Sequence, residues 1–172
     1  MTPLATHIRP RAPADDAGIE GVLRAAFGGG DEVRLVADLR RDGDCLVELI
    51  ATDGAGEIAG HILFSRLAVT KASLSVSAAA LAPLAVRPDL QRRGIGDALT
   101  RAGLAACREQ GCELVVVLGH PKYYPRFGFS PLLAKLLDAP YSGPSFMALE
   151  LAPGIIGAER WTVRYPRAFA GP

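Results

Sequence analysis

The sequence predicts a single compact α/β domain over residues 1–172. The segment Glu113–Leu118 (ELVVVL) is continuously apolar after its first residue, as expected of a central strand covered on both faces. The segment Leu84–Leu99 (LAVRPDLQRRGIGDAL) passes from an apolar strand through a glycine-containing turn into an amphipathic helix. A length of 172 residues, 49% of them hydrophobic, suits one core of ordinary size.

The amino-terminal region predicts one strand and the first helix. The strand begins at His7–Arg9. Asp15 or Asp16 then caps a helix whose apolar residues repeat at helical spacing. Gly28–Gly30 end this helix. The apolar face comprises Ile19, Val22, Leu23, Ala26 and Phe27.

A second helix and three strands follow. Asp31 is the expected cap of that helix, which carries Leu35 on its apolar side and ends at Gly43. The three strands are expected at Cys45–Ala51, Glu57–Val69 and Ser73–Val86. Asp53-Gly54 forms the turn between the first two of them.

The carboxy-terminal half completes the order β-αα-βββ-α-β-α-ββ. A helix runs from Ile95 to a glycine stop at Gly111, and the strand Glu113–Leu118 follows. The segment Gly119–Phe129 (GHPKYYPRFGF) predicts a short helix with a glycine stop. The last two strands are expected to form a hairpin around Pro153–Trp161.

The turn Gln91–Gly96 (QRRGIG) has the features of a phosphate-binding loop. Gly94 and Gly96 let the backbone approach a ligand closely. The helix that begins at Ile95 presents unpaired N–H groups and the positive end of its dipole. Together with two arginines, such a turn suits a pyrophosphate. The alternative is a solvated strand-to-helix turn that binds nothing.

The spacing disfavours two common classes of phosphate-binding motif. A P-loop needs a Gly-Lys-Ser/Thr ending, and no lysine occurs between Lys71 and Lys122. A dinucleotide fingerprint needs a third glycine where Leu99 stands.

The turn resembles the coenzyme A signature of the GNAT acetyltransferases, Gln/Arg-x-x-Gly-x-Gly/Ala, with the Val-Arg-Pro lead-in typical of that family. Downstream, Tyr124 lies four residues before the glycine of the Gly128-Phe129 pair, where that family carries a tyrosine. With FMALEL at Phe146–Leu151 and RWTVRYPRAF near the end, the chain is similar to the YhbS-like branch of N-acetyltransferases over Ile8–Phe169.

The resemblance implies the α/β GNAT (acyl-CoA N-acyltransferase) fold, which has a mixed central sheet flanked by helices. In that fold the fourth and fifth strands splay apart, and the pantetheine arm pairs with the fourth. Pro83 fits a bulge or the point where strands part, or else an edge strand with no ligand. The coenzyme A contacts implied by the resemblance are Leu84, Ala85, Val86, Arg92, Arg93, Gly94, Ile95, Gly96, Asp97, Gly119, Tyr123 and Phe127.

The implied reaction is direct attack of a primary amine on the thioester of acetyl-CoA. A tyrosine suits the departing thiolate, because its pKa of roughly 10 keeps the hydroxyl protonated at pH 7. Tyr124 is the expected acid and Tyr123 the fallback; core packing is the alternative role for Tyr124. A backbone N–H near Val86 is the expected oxyanion donor.

The general base stays open. Several members of the family use a glutamate on the fourth strand, but Ser77–Val86 contains no carboxylate. Glu32, Glu48 or a water relay are the alternatives, while His120 is better explained as a loop or capping residue.

Composition narrows the class of partner. The net charge is +1 and the arginines are scattered, so neither nucleic acid nor a membrane surface is an expected partner. Three cysteines lack metal-ligand spacing, which favours free thiols in a reducing compartment and no metal. No leader peptide or membrane span is evident, so the cytoplasm is the expected location.

The acceptor is not identified by the sequence. A non-catalytic acyl-CoA-binding or sensing module and an unrelated nucleotide-binding protein are the alternative functions. Acceptor specificity is expected to depend on the segments Gly28–Asp31, Val69–Ser75 and Pro153–Trp161. A homodimer formed through the C-terminal strands is one possible assembly, and the sequence does not decide the oligomeric state.

Overall fold

The computed structural model describes residues 5–171. These residues form one sheet with helices on both faces. The strands are β1 (His7–Pro10), β2 (Cys45–Thr52), β3 (Ile58–Lys71), β4 (Leu74–Val86), β5 (Leu114–Leu118), β6 (Leu137–Asp138), β7 (Phe146–Glu150) and β8 (Trp161–Arg164). The α-helices are α1 (Asp16–Phe27), α2 (Asp31–Asp42), α3 (Ile95–Glu109) and α4 (Pro131–Ala134).

The sheet has the order β1-β2-β3-β4-β5-β7. All pairs along this path are antiparallel except β4 with β5, which is parallel. The predicted order of elements is confirmed, with β6 as one additional short strand.

The predicted C-terminal hairpin is wrong. Strand β7 pairs with β5, whereas β8 pairs with β3 at Ala68–Thr70 and with β6. The reason is that β3 is longer than its partner β2. Strand β3 continues to Lys71, but β2 pairs with it only as far as Ser65. The exposed edge beyond Ser65 takes β8 as its neighbour, and Trp161 and Val163 of β8 are buried there.

Two helical layers cover opposite faces of the sheet. Helix α3 packs through Leu99 on the face that carries Phe64. Helices α1 and α2 pack on the other face, through Ile19 and Leu39 against Leu63 of β3. Because successive strand residues point to opposite faces, neighbours such as Leu63 and Phe64 belong to different halves of the core.

Strands β4 and β5 part near the middle of the sheet. They pair only from Ala78 with Leu114 to Leu81 with Val117, and β4 then continues to Val86 without β5 beside it. At the point of separation β4 contains a bulge opposite β3 that includes Pro83, whose peptide bond with Ala82 is cis. The predicted splay and the predicted bulge are both confirmed.

Both predicted caps at helix starts differ from the structure. Asp15 stands at the N-cap of α1, but its carboxylate accepts hydrogen bonds from Arg9 and from the N–H of Ala12 instead of capping the helix. Gly30 is the N-cap of α2, and Asp31 is its first residue. The predicted glycine stops are correct, since Gly28 and Gly43 both adopt left-handed backbone angles.

The three cysteines are unpaired, as predicted; Cys107 and Cys112 are buried and Cys45 is partly exposed. Among residues 5–171, no helix is both long and apolar enough to cross a bilayer. Within the same range, no group of three or more histidine, cysteine, aspartate or glutamate side chains is placed to hold a metal ion.

Candidate active site

A cleft of about 910 Å³ opens where β4 and β5 part. This volume is within the range of small-molecule binding sites. The lining residues are Phe27, Glu32, Leu35, Leu81, Ala82, Pro83, Leu84, Val86, Gln91, Arg92, Gly94, Ile95, Gly96, Asp97, Leu118, Gly119, His120, Tyr123, Tyr124 and Arg126.

The cleft reaches both helical layers. One end is formed by Gly94–Asp97 at the start of α3, and the other by Phe27 of α1 with Glu32 and Leu35 of α2. Since α3 and the α1–α2 pair cover opposite faces, the cleft passes through the gap between β4 and β5. Two molecules that enter from the two sides can therefore meet at this gap.

The turn before α3 has a backbone geometry that favours a bound anion. Gly94 is the N-cap, with φ of 87°, and no side chain among residues 5–171 caps the helix. Arg92 also adopts a left-handed conformation, with φ of 61°. The N–H groups of the first helical turn can therefore bind a ligand. The positive end of the helix dipole favours a ligand that is negatively charged. Gln91 ties the turn to β4 by donating to the carbonyl of Val86 at 3.1 Å.

Three polar side chains close one wall beside this turn. The Tyr123 hydroxyl donates to Asp97 Oδ1 at 2.9 Å, and Arg126 lies 3.5 Å from Asp97 Oδ2 and 4.5 Å above the Tyr123 ring. Burial and the Asp97 carboxylate both raise the pKa of the Tyr123 hydroxyl. A Cβ at Gly96 would lie 3.1 Å from Tyr123 Oη, so the absence of a side chain at Gly96 favours this close approach.

Tyr124 lies at the gap with its ring buried and its hydroxyl uncommitted. The residue is 7% exposed, and its ring packs edge-on against that of Phe129, with 5.7 Å between the ring centroids. A Cβ at Gly119 would lie 2.3 Å from this ring, which makes Gly119 necessary for the placement of Tyr124. No described side chain hydrogen-bonds to the Tyr124 hydroxyl, and burial raises its pKa to about 12. The group is therefore a neutral hydrogen-bond donor at every physiological pH.

Most of the predicted coenzyme A contacts come together at the cleft, and three do not line it. Ala85 points to the opposite face of β4 and is buried against the α1–α2 layer. Phe127 packs edge-on to Tyr123 at 5.3 Å, with Arg101 over its ring. Arg93 belongs to the turn but does not line the cleft.

Several lining residues were not anticipated by the sequence. Phe27 and Leu35 lie at helical spacing among core residues, so their pattern predicts burial and not a binding role. Leu118 ends an apolar strand and Arg126 stands beside the tyrosine motif without a signal of its own. A binding role for Gln91 could have been predicted, because Gln91 is the first residue of the motif that resembles the coenzyme A signature.

The candidate bases occupy different environments. Glu48 does not line the cleft; it lies 2.7 Å from His61 Nε2 and also accepts from Arg40. Burial raises the pKa of Glu48, but the hydrogen bonds from His61 and Arg40 outweigh burial and hold that pKa at about 2. Glu32 and His120, by contrast, both line the cleft.

The family model described as "Acetyltransferase (GNAT) family" matches residues 22–129. The chain belongs to the GNAT family. The match includes α2, the turn before α3 and the tyrosine segment after β5. The GNAT family membership is at odds with the alternative of an unrelated nucleotide-binding protein.

Comparison with individual GNAT proteins agrees with this assignment. The chain is 41% identical to the uncharacterized N-acetyltransferase YjhQ of Escherichia coli K12, over 80% of this chain and 76% of that protein. It is 39% identical to the uncharacterized N-acetyltransferase YhbS of the same strain, over 71% and 72% of the two chains.

Two solved structures extend the similarity to the whole fold. The crystal structure of Escherichia coli YhbS in complex with CoA has a TM-score of 0.87 and 33% identity, and the match covers 97% of this chain and 93% of that one. A GNAT acetyltransferase from Brucella melitensis in complex with acetyl-CoA has a TM-score of 0.79 and 32% identity, with 95% and 97% covered. The predicted GNAT fold is confirmed.

Proposed function

We propose that this protein transfers an acetyl group from acetyl-CoA to a primary amine in the cleft between β4 and β5. One observation carries the proposal: the gap places an anion-binding turn at one end and the free hydroxyl of Tyr124 along the same wall. The two GNAT structures described as complexes with CoA and acetyl-CoA support the choice of cosubstrate.

The cosubstrate lies with its pyrophosphate on the turn and its pantetheine arm along β4. Residues Leu84–Val86 have β3 on one side and, among the described residues, no strand on the other. Their outward backbone groups require hydrogen-bond partners, which the amides of the pantetheine arm supply. Leu84 and Val86 also present side chains to the cleft. Without a ligand, the outward N–H and C=O groups of this stretch would be hydrogen-bonded to water.

The reaction is a direct displacement at the thioester carbonyl. The neutral amine attacks, a C–N bond forms, the C–S bond breaks, and the amine loses one proton while the thiolate gains one. A backbone N–H of β4 near Val86 stabilises the tetrahedral oxyanion. Tyr124 donates to the departing sulfur. With a pKa of about 12, its hydroxyl keeps its proton at neutral pH, whereas a free thiol has a pKa of roughly 8.5.

Tyr124 is preferred over Tyr123 for this role because of their hydrogen bonds. The Tyr123 hydroxyl already donates to Asp97, and breaking that bond would leave a partly buried carboxylate with one fewer donor. Tyr123 instead holds the wall of the cleft in place. Glu32, His120 and a water relay stay as candidates for the acceptance of the amine proton.

The domain organisation, the cellular location and the oligomeric state are proposed on the basis of the sequence. That residues 1–172 form one domain and that the protein works in the cytoplasm stay predictions, and its unpaired cysteines suit a reducing compartment. The homodimer also stays a prediction, although β8 is now placed beside β3 and not in a hairpin.

The decisive assay for turnover is thiol release from acetyl-CoA in the presence of a mixture of primary amines. We expect amine-dependent release by the native chain and loss of most of this rate in Tyr124→Phe. Binding of acetyl-CoA without any amine-dependent release would favour the non-catalytic acyl-CoA-binding module.

A further inference from the structure

The end of the cleft at α1 and α2 differs in character from the end at the turn. Phe27 and Leu118 are large apolar side chains that remain 44% and 51% exposed, and both line the cleft. Leu35 lines it beside them. Exposed apolar groups that converge on a cavity are better explained by a ligand than by the folding of the chain.

Leu118 points to the same side as these helices. Leu114 and Val116 of β5 face away from α3, and Leu118 follows them in the alternation along the strand. Phe27, Leu35 and Leu118 therefore form an apolar wall that lies across the gap from the turn. It lies on the side from which a second substrate can approach an acetyl group held at the gap.

One charge lies within this wall. Glu32 is one turn before Leu35 on α2, and both side chains line the cleft. Glu32 has neither an ion-pair nor a hydrogen-bond partner among residues 5–171. The other lining carboxylate, Asp97, is occupied by Tyr123 and Arg126. Glu32 is thus the carboxylate available to a cationic ligand in this cleft.

We propose that the acceptor is a cationic amine with an apolar substituent and without a carboxylate beside the amino group, held by Glu32 against Phe27, Leu35 and Leu118. This inference rests on the proposed function. The Glu32 carboxylate attracts the ammonium form of the acceptor, which gives up one proton to water before the neutral amine attacks. It repels a second carboxylate, so an amine is selected over the corresponding α-amino acid. The apolar wall buries the substituent and favours longer amines over methylamine.

Matched amines test the acceptor class. Phenethylamine and phenylalanine differ by one carboxylate, and phenethylamine and methylamine differ by the apolar substituent. With the native chain and saturating acetyl-CoA, we expect kcat/KM for phenethylamine to exceed that of each of the others by about 10-fold or more. Equal values for phenethylamine and phenylalanine would overturn the inference.

A non-reactive cation separates binding by Glu32 from proton transfer. Phenethyltrimethylammonium has no proton to lose, and we expect it to inhibit competitively against phenethylamine. Glu32→Gln should raise its inhibition constant by about 10-fold, because the ion pair is lost while the shape is kept. Glu109→Gln removes an exposed carboxylate at the far end of α3, outside the cleft, and should leave this constant unchanged. An unchanged constant in Glu32→Gln would contradict the role of Glu32.

Failure of this inference is distinguishable from failure of the proposed function. Acetyl-CoA binding is measured for each variant by calorimetry, and we expect the dissociation constants to agree within about twofold. Binding of acetyl-CoA without acetylation of phenethylamine would overturn the acceptor class and leave the cosubstrate assignment intact. Loss of acetyl-CoA binding in the native chain would overturn both.

Discussion

The Tyr123 hydroxyl donates a hydrogen bond to Asp97 Oδ1 at 2.9 Å and so joins the segment after β5 to the first turn of α3. These are the two segments that carry the sequence motifs. The bond holds them together at the mouth of the gap between β4 and β5. The bond engages the hydroxyl of Tyr123, whereas the hydroxyl of Tyr124 has no hydrogen-bond partner among residues 5–171.

Tyr124→Phe should lower kcat by about 100-fold, in the range typical of a lost acid–base group. The Kd for coenzyme A should stay within about twofold, because the ring keeps its packing against Phe129. Steady-state kinetics and calorimetry on the same preparation measure both quantities. Tyr123→Phe is the matched control and should retain kcat within about threefold. Equal kcat in Tyr124→Phe and the native chain would remove the acid assignment.

Gly94→Val should abolish binding of coenzyme A. Gly94 has φ of 87° and nothing within 4 Å of the position of a Cβ, so a side chain would enter the space that the pyrophosphate requires. Gly111→Val is the control, since Gly111 has φ of 80° at the far end of α3 and equally open surroundings. Both variants should lose about 1–2 kcal/mol of unfolding free energy through backbone strain. Loss of binding in both variants would attribute the effect to stability and not to the site.

Glu48→Gln should reduce stability in a pH-dependent way. The pKa of Glu48 in the folded chain is about 2, below the ordinary 4.5, so ionised Glu48 stabilises the fold fully above about pH 5. That contribution is lost as the pH falls from about 5 towards 2. Urea unfolding should give a difference of roughly 2–3 kcal/mol between the native chain and Glu48→Gln at pH 7, and a much smaller one near pH 3. The exposed Glu57→Gln should differ little at either pH, and a constant difference for Glu48→Gln would refute the ion-pair explanation.

Gly103→Ala should destabilise the contact between α3 and β3. A Cβ at Gly103 would lie 2.3 Å from the Phe64 ring, which is itself fully buried. Overpacking of this kind costs about 1–3 kcal/mol. Gly21→Ala in α1 meets nothing within 4 Å and should stabilise by about 0.5–1 kcal/mol through helix propensity. Thermal unfolding of the two variants should therefore shift in opposite directions, and a shift to higher temperature in Gly103→Ala would contradict the packing.

Local signals account for what the sequence predicted well. The glycine stops at Gly28 and Gly43, the apolar run of β5 and the turn before α3 each depend on residues close together in the chain. The bulge at Pro83 was accessible for the same reason, because a proline removes a donor from the strand. Two short motifs were enough to indicate one wall of the cleft.

Non-local pairing explains what the sequence did not predict. The partner of β8 depends on where β2 stops pairing with β3, and nothing within Trp161–Arg164 encodes that point. Likewise, Phe27 and Leu35 fit the apolar faces of their helices, and only the gap between β4 and β5 turns them into a ligand-binding wall. The position of Ala85 is explained in the same way. The bulge shifts the register of β4, and the alternation along the strand then places Ala85 on the face away from the cleft.

The most direct test is calorimetric titration of the protein with acetyl-CoA, coenzyme A, ATP and NAD at moderate salt. Selective binding of acetyl-CoA and coenzyme A, with one site per chain, is the expected result. Preferential binding of ATP or NAD, or binding of none of the four, would contradict the assignment of the cleft between β4 and β5 as a coenzyme A site.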